Sequence, residues 1–188
     1  QQLIIDMTKL DVANASLLDE GTAAAEAMTL CFRHAFDKNN NTYLVHSLCH
    51  PQTISVIKTR AKPLNIKIKL CYEINELDLK ECFGILFQYP DTFGHLNNLE
   101  NLIKICHKNK TLVCVATDLL SLALLKPPGE MDADVVLGNS QRFGTPLGFG
   151  GPHAAFFATK NKFIRSMPGR IIGVTIDKRE KNTYRMIL

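Results

Sequence analysis

The chain has 188 residues, 46% hydrophobic and 21% charged, an ordinary globular balance that excludes disordered and fibrous classes and suffices for one full apolar core. The formal charge of +4, from 22 basic and 18 acidic residues, is small, and the basic groups are scattered as pairs and triples such as Lys58/Arg60/Lys62 and Lys178/Arg179/Lys181, which reads as wet helix and strand faces rather than a nucleic-acid surface. Mean hydropathy is −0.01, and the longest apolar runs, such as Leu119 to Leu125 broken by Ser121, fall well short of the roughly 20 residues a membrane helix needs.

Leu3 to Met7 reads as the end of a helix begun upstream. A second helix starts at Asp19-Glu20, whose charges suit its positive end, with Ala24, Met28 and Cys31/Phe32 recurring at helical spacing. The polar stretch 37–42 is a loop, and Tyr43 to His46 a short strand. Pro51 suits the first position of a helix with Ile54, Ile57, Ala61 and Leu64 on one face. Ile66 to Leu70 alternates with period two, as a strand with one wet face does. Phe83 to Phe87 is a buried strand ended by Tyr89-Pro90-Asp91. Leu99, Leu102, Ile103 and Cys106 mark a helix closed by basic groups at 107–110, and Leu112 to Ala116 is a second fully apolar strand. Strands at 134–137, 154–157 and 171–174 follow. Alternating strands and helices, with near-continuous apolar strands, predict an α/β fold: a mostly parallel sheet with helices on both faces. The whole of 1–188 reads as one partial domain. Gln1 and the strand-like Tyr184 to Leu188 suggest cuts inside a longer protein, which would leave Leu3, Ile4, Ile5, Met186, Ile187 and Leu188 exposed.

Six cysteines, at 31, 49, 71, 82, 106 and 114, sit mostly inside apolar segments, and none form C-x-x-C. They read as small hydrophobes in a reducing compartment. His46, Cys49 and His50 lie within five residues of each other, but no second cluster at zinc spacing accompanies them, so a hydrogen-bonded loop is favoured over a metal.

Ligands in parallel sheets sit beyond the carboxyl ends of the strands, which singles out loops 47–51, 88–95, 117–120 and 138–153. Gly144-Thr-Pro-Leu-Gly148-Phe-Gly150-Gly151-Pro152-His153 is no nucleotide P-loop, because no Lys-Ser/Thr follows, and His153 takes the third glycine position of G-x-G-x-x-G. It is either a tight surface loop or a loop packed on another domain or a cofactor pocket. A helix opening at Gly21 could bind phosphate, but Asp19 and Glu20 would repel it and take the anion position themselves. Asp118 ends an apolar strand. It could pair with a cation such as a protonated pyridine nitrogen, or cap the turn that follows.

Several long blocks carry a resemblance that covers essentially the whole chain: Asp11-Val-Ala-Asn-Ala-Ser-Leu-Leu-Asp-Glu-Gly-Thr-Ala-Ala-Ala-Glu-Ala27, Cys49-His-Pro-Gln-Thr53, Phe87-Gln-Tyr-Pro-Asp-Thr92, Gly138-Asn-Ser-Gln-Arg-Phe-Gly144, Gly148-Phe-Gly-Gly-Pro-His-Ala-Ala-Phe-Phe157 and Met167-Pro-Gly-Arg-Ile-Ile-Gly-Val174. The chain resembles the N-terminal half of the glycine dehydrogenase (decarboxylating) family, the P-proteins of the glycine cleavage system. The resemblance implies a large domain of the fold-type-I, aspartate-aminotransferase-like kind found in pyridoxal-phosphate enzymes. It also implies a dimer-forming oxidoreductase that decarboxylates glycine and passes the aminomethyl group to the lipoyl arm of the H-protein. The cofactor lysine in that family belongs to a C-terminal catalytic half. Here the matching position is Gln141, whose amide cannot replace an amine nucleophile, and Arg142 beside it is too basic. The resemblance thus implies no catalytic residue and no metal in this chain, with Asp118, Gln141 and Arg142 as a degenerate pocket and pyridoxal phosphate bound only by the missing half. No nucleic-acid or membrane partner is expected. The setting implied is the mitochondrial matrix in a eukaryote or the cytoplasm in a bacterium. The alternative reading is a non-enzymatic binding or scaffold remnant of the same fold.

Overall fold

The computed structural model describes residues 1–37, 39–74 and 76–187. Lys38 of the expected 37–42 loop and Leu188 of the expected terminal exposed set lie outside them. Helix α1 spans Gln2–Thr8 and is followed by a two-residue strand β1, Val12–Ala13. The central helix α2, Glu20–Arg33, begins where Asp19 accepts a hydrogen bond from the Thr22 N–H at 2.7 Å. Strand β2 is Thr42–His46 and α3 is Pro51–Ala61, with proline at its first position as expected. Strand β3 (Lys67–Cys71), helix α4 (Glu76–Lys80), strand β4 (Cys82–Tyr89), helix α5 (Leu99–Lys108) and strand β5 (Leu112–Asp118) follow. Strands β6 (Val135–Asn139) and β7 (Ala155–Thr159) complete one sheet.

The seven-stranded sheet runs β1-β7-β6-β5-β4-β2-β3, and β2 through β6 are all mutually parallel. The expected parallel set, 43–46, 83–87, 112–116 and 134–137, is therefore present. Strand β7 is antiparallel to β6 and β1, so the 154–157 run closes the sheet in the opposite sense. Burial on both faces explains why β4 and β5 are apolar almost throughout. One face packs on α2 and α3 through Met28, Leu30, Tyr43, Ile57, Leu86 and Phe157. The other packs on α4 and α5 through Leu79, Ile85, Phe87, Ile103 and Val115. Ala23, Ala24, Ala25 and Ala27 of α2 are wholly buried. With no long side chains at these positions, the helix backbone lies close to the strands.

Four expectations change. Strand β3 forms the sheet edge, covered by α3 on the side of Ile68 only, and Leu70 is exposed rather than facing a core. Leu64 is also exposed, because α3 ends at Ala61 and a 3-10 turn over Lys62–Leu64 carries it off the helix face. Ile4 is only 8% exposed, since α1 folds back and tucks it into the core that holds Leu119 and Leu122, while Leu3, Met186 and Ile187 are exposed as expected. The 171–174 run does not extend the main sheet. It forms strand β8, Ile172–Ile176, paired antiparallel with strand β9, Asn182–Met186, in a separate hairpin. All six cysteines are free thiols and buried. The Cys31 Sγ stands 3.4 Å from Cys114 Sγ, and that contact together with burial holds the Cys31 thiol well above its ordinary value. Among the described residues, no helix is long and apolar enough to cross a membrane.

At the amino edge of the sheet a charged network joins α5 to three strands. Asp134, 1% exposed, accepts from His107 Nε2 at 2.8 Å and the Val113 N–H at 3.0 Å. Lys160 and Lys162 each reach it at 3.2 Å, and His107 also faces Asp132 at 3.2 Å. Burial alone would raise the Asp134 pKa, but the His107 bond, the Lys160 charge and the Val113 N–H outweigh it and hold the carboxyl far below the usual range. A carboxyl depressed in the folded state adds stability that is complete above the unfolded pKa near ~3.9 and drains as the pH falls below it. Asp134→Asn should therefore lose about 2–3 kcal/mol at neutral pH, at or just under the usual loss for a broken buried pair because the lysines stay partly wet. Urea melts should show the gap to wild type narrowing at pH values below the unfolded carboxyl's pKa.

Gly138 in β6 marks a close approach. A Cβ there would stand 2.1 Å from the Thr117 carbonyl oxygen and 2.8 Å from the Phe156 ring. Gly138→Ala should cost about 1–3 kcal/mol by overpacking, visible as a lowered Tm. Gly148→Ala, with nothing within 4 Å of the added carbon, should leave the Tm nearly unchanged.

Candidate functional site

Parallel strands deliver their last residues to one edge. Successive side chains alternate between faces, so Gln88 follows Leu86, Asp118 follows Ala116 and Asn139 follows Leu137 onto the α2 side, where those apolar residues pack. Gln88 pairs in register with Ala116, and Asp118 with Asn139. The first turn of α2 brings Glu20 over the same edge. The result is a cleft in two adjoining parts that share Glu20, His50 and Asn139. One part, about 530 Å³, is bounded by Asp19, Gly21, Thr53 and His153; the other, about 380 Å³, by Gln88, Thr117, Asp118, Gln141 and Arg142.

Asp118 and Gln141 thus lie on one cleft, at the carboxyl ends of neighbouring strands, as expected. Asp118 caps the turn that follows it, and its second oxygen faces a side-chain cation. Its Oδ1 accepts from the Leu120 N–H at 3.0 Å and caps the 3-10 turn Leu119–Ala123, and its Oδ2 faces Arg142 Nε at 3.5 Å. Gln141 is a latch. Its Nε2 donates to the Pro152 carbonyl at 2.8 Å and the Gly150 carbonyl at 3.3 Å, while its Oε1 accepts from Asn139 Nδ2 at 2.7 Å. The glycine loop is therefore tied to the sheet edge by a side chain that a lysine cannot mimic. Beyond that tie the loop projects outward: Leu147 is exposed and Phe149, held at φ 53°, is fully so.

The two acidic residues before Gly21 part company. Asp19 occupies the anion position of the helix end, and its bonds to Thr22 hold its pKa low. Glu20 turns instead to α3, accepting from Thr53 Oγ1 at 2.9 Å. Burial raises its pKa, and the charges of Asp19 and Asp118 push the same way. Asp91 at the β4 exit is saturated: its Oδ1 accepts from the Phe93 and His95 N–H groups and its Oδ2 faces the His95 ring. Burial opposes its ionisation, but those bonds prevail and hold its pKa below the usual value.

His46, Cys49 and His50 do not converge. His46 bonds the Tyr72 carbonyl, Cys49 is buried against the Leu86 carbonyl, and His50 meets Thr92 Oγ1. The loops singled out at 88–95 and 138–153 do supply Gln88, Asn139 and His153 to the cleft, but sequence reasoning assigned none of the three a role, least of all Asn139 as the hub that bonds both Gln141 and His153. Strand parity pointed to Gln88, but only once the register with β5 was known.

Pyridoxal phosphate does not fit these residues. The helix N-terminus that would receive the phosphate is filled by Asp19 and flanked by the buried Glu20, and among the described residues no lysine lines either part of the cleft.

The sequence model of the family described as the glycine cleavage system P-protein matches residues 1–188. A glycine dehydrogenase (decarboxylating) of Stutzerimonas stutzeri is 55% identical over 188 residues, all of this chain and 19% of that protein. The mitochondrial glycine dehydrogenase (decarboxylating) of Homo sapiens is 52% identical over 190 residues, 18% of its length. The chain thus spans about a fifth of these relatives. Among solved structures, a glycine decarboxylase (P-protein) in inhibitor-bound form superposes with a TM-score of 0.88 and 32% identity, covering all of this chain and 44% of that one. A cystathione gamma lyase from Micromonospora echinospora, 12% identical over 87% of this chain and 42% of its own, gives a TM-score of 0.66, a likeness of fold alone. The fold is that of the fold-type-I pyridoxal-phosphate enzymes, and the chain belongs to the glycine cleavage system P-protein family.

Proposed function

We propose that this chain is a large-domain piece of the N-terminal, non-catalytic half of a glycine-decarboxylating P-protein. The whole protein decarboxylates glycine and passes the aminomethyl group to the lipoyl arm of the H-protein, using pyridoxal phosphate bound on the C-terminal half. This piece binds no cofactor and carries no catalytic residue. Its role is structural: it shapes the dimer-like interface and the approach to the neighbouring active site. What supports this reading is Gln141, which the family resemblance aligns with the cofactor lysine and whose amide donates to the Gly150 and Pro152 carbonyls. The exposed Leu147 and Phe149 on the loop it tethers are the surface offered to the catalytic half, since exposed apolar groups clustered on one loop favour an interface. In a eukaryote such a protein works in the mitochondrial matrix, in a bacterium in the cytoplasm.

The test is assembly. Co-expression with the rest of a P-protein should yield a complex that decarboxylates glycine, and Phe149→Glu should weaken that association measurably in analytical ultracentrifugation. The chain alone, mixed with pyridoxal phosphate and reduced with borohydride, should give no stoichiometric adduct by mass spectrometry. Gln141→Lys should give none either, because the carboxylates at the phosphate position remain. An adduct at position 141 with glycine decarboxylation would refute the assignment, and a chain that never joins a catalytic half would favour the scaffold reading.

A further inference from the structure

We propose that the outer edge of strand β9 is a docking site for an extended segment of a partner protein in which acidic and apolar side chains alternate. The β8–β9 hairpin is the part of the chain that the fold leaves unsupported. Among the described residues, none of its side chains joins either core, and its strands pair only with each other. A two-stranded hairpin on its own is marginally stable in water. Its register sets Ile172 opposite Met186, Val174 opposite Tyr184 and Ile176 opposite Asn182, so one face is apolar but for Asn182. Val174, Ile176, Tyr184 and Met186 on that face are each more than half exposed. An antiparallel sheet ordinarily turns such a face to a core.

The main chain is open at the same place. The Ile187 N–H donates to the Ile171 carbonyl at 2.8 Å, and the Asp177 N–H to the Lys181 carbonyl at 2.9 Å. Alternation between these two closed pairs turns the N–H and C=O groups of 172, 174 and 176 outward from β8, and those of 182, 184 and 186 outward from β9. On β8 the chain fills part of the edge itself. The Gln1 carboxamide accepts from the Ile172 N–H at 2.7 Å and donates to the Ile172 carbonyl at 2.9 Å, the two bonds a neighbouring strand would make. On β9 the outward groups of Asn182, Tyr184 and Met186 meet no partner among the described residues. A row of open N–H and C=O groups is a template for one more strand.

Charge selects which strand. Tyr184 and Met186 stand on the apolar face, while Lys181, just before β9, and Thr183 and Arg185 alternate onto the other. Between Arg170 and Ile187 the chain has five basic residues and two acidic ones, most of its net charge of +4. One of the two, Asp177, is committed to the turn, where its Oδ1 accepts from the Arg179 and Lys181 N–H groups at 2.7 and 3.0 Å. A strand along β9 gains opposite-charge pairs where it is acidic beside Lys181 and Arg185, and apolar pairs where it is apolar beside Tyr184 and Met186. The same charges reject a second copy, which would bring Lys181 and Arg185 against their own kind. A lipid surface would cover the apolar face and attract the basic groups, but it cannot pair the open main-chain groups. The docking site does not depend on the assembly proposed above.

The full chain, labelled with ¹⁵N, can be titrated at neutral pH and low salt with short acetylated peptides. One alternates glutamate and valine, one alternates lysine and valine, and one is the glutamate–valine peptide N-methylated throughout its backbone. The Asn182, Tyr184 and Met186 backbone amides serve as the local readout. The glutamate–valine peptide should shift them saturably and slow their hydrogen exchange. The lysine–valine peptide should bind at least about tenfold more weakly, because cross-strand attractions become repulsions. The N-methylated peptide should also lose about tenfold or more, through its missing main-chain bonds. Lys181→Glu combined with Arg185→Glu should reverse the preference between the two charged peptides. Both side chains are exposed, and unmoved Leu86 and Val115 amides would report an intact core. Should the double variant fail to fold, the lysine–valine and N-methylated comparisons carry the decision. The proposal is overturned if the glutamate–valine peptide causes no saturable shift, or if either of the other peptides binds as well. It is also overturned if only phosphatidylglycerol vesicles shift these amides, if the chain pairs with its own copy through them, or if the assembled P-protein takes up no peptide because its own chain covers the edge.

Discussion

The arrangement at the carboxyl edge depends on how close α2 lies to the sheet. That distance is set by alanine. Ala23, Ala24 and Ala27 share one core with side chains of β4, β5 and β6 and leave little between the helix backbone and these strands, and dense packing makes such a separation a fixed quantity. A close helix also sits tightly against α3, where a side chain on Gly21 would stand 3.0 Å from Val56. With both contacts fixed, the first turn of α2 can point only over the ends of the strands. The residues placed there by the chain, Asp19 and Glu20, decide what the cleft attracts.

A helix N-terminus carries partial positive charge and unsatisfied N–H groups, and favours an anion. This chain supplies the anion itself. Asp19 answers the helix, while Glu20, one residue later, is rotated off the axis and bonded to Thr53. The helix field is thus spent on Asp19, and Glu20 adds a carboxylate that the terminus does not neutralise. A place suited by its geometry to phosphate becomes one that repels it. At the far side of the cleft Gln141 donates to two carbonyls, which makes it a fastener for the loop that carries Phe149.

The parts of this structure legible in the sequence are those fixed by local pattern. Continuous apolar runs gave β4 and β5, helical spacing gave α2, α3 and α5, and the proline at position 51 marked a helix start. Strand β3 kept its alternation, yet its apolar side chains face partly into water, because alternation reports a pleat and not a neighbour. Ile4 looked exposed because nothing adjacent in sequence covers it, and the cover, Leu119 and Leu122, lies more than a hundred residues away by number. Asp118 and Gln141 were legible as a pair, since each follows an apolar strand directly. Gln88 was not. It reads as one polar residue closing a buried run, and its meaning appears only when β4 is set in register with β5 beneath the first turn of α2.

The two edges of the sheet treat buried polar groups in opposite ways. At the amino edge Asp134 is as buried as any residue in the core, and every approach to it is filled by a histidine, two lysines and a backbone N–H. Such a network fixes α5 to the strands and has no unmet valence to offer. At the carboxyl edge the Gln88 oxygen is equally buried but unpaired, and the carboxylates around it are compensated by one exposed guanidinium. Burial costs the same kind of desolvation in both places. In the first the chain repays it internally, so the network holds the fold and nothing else. In the second the oxygen stays closed off and without a partner among the described residues. That asymmetry separates the two edges: one is closed by its own contacts, and the other keeps a buried acceptor without a partner among the described residues.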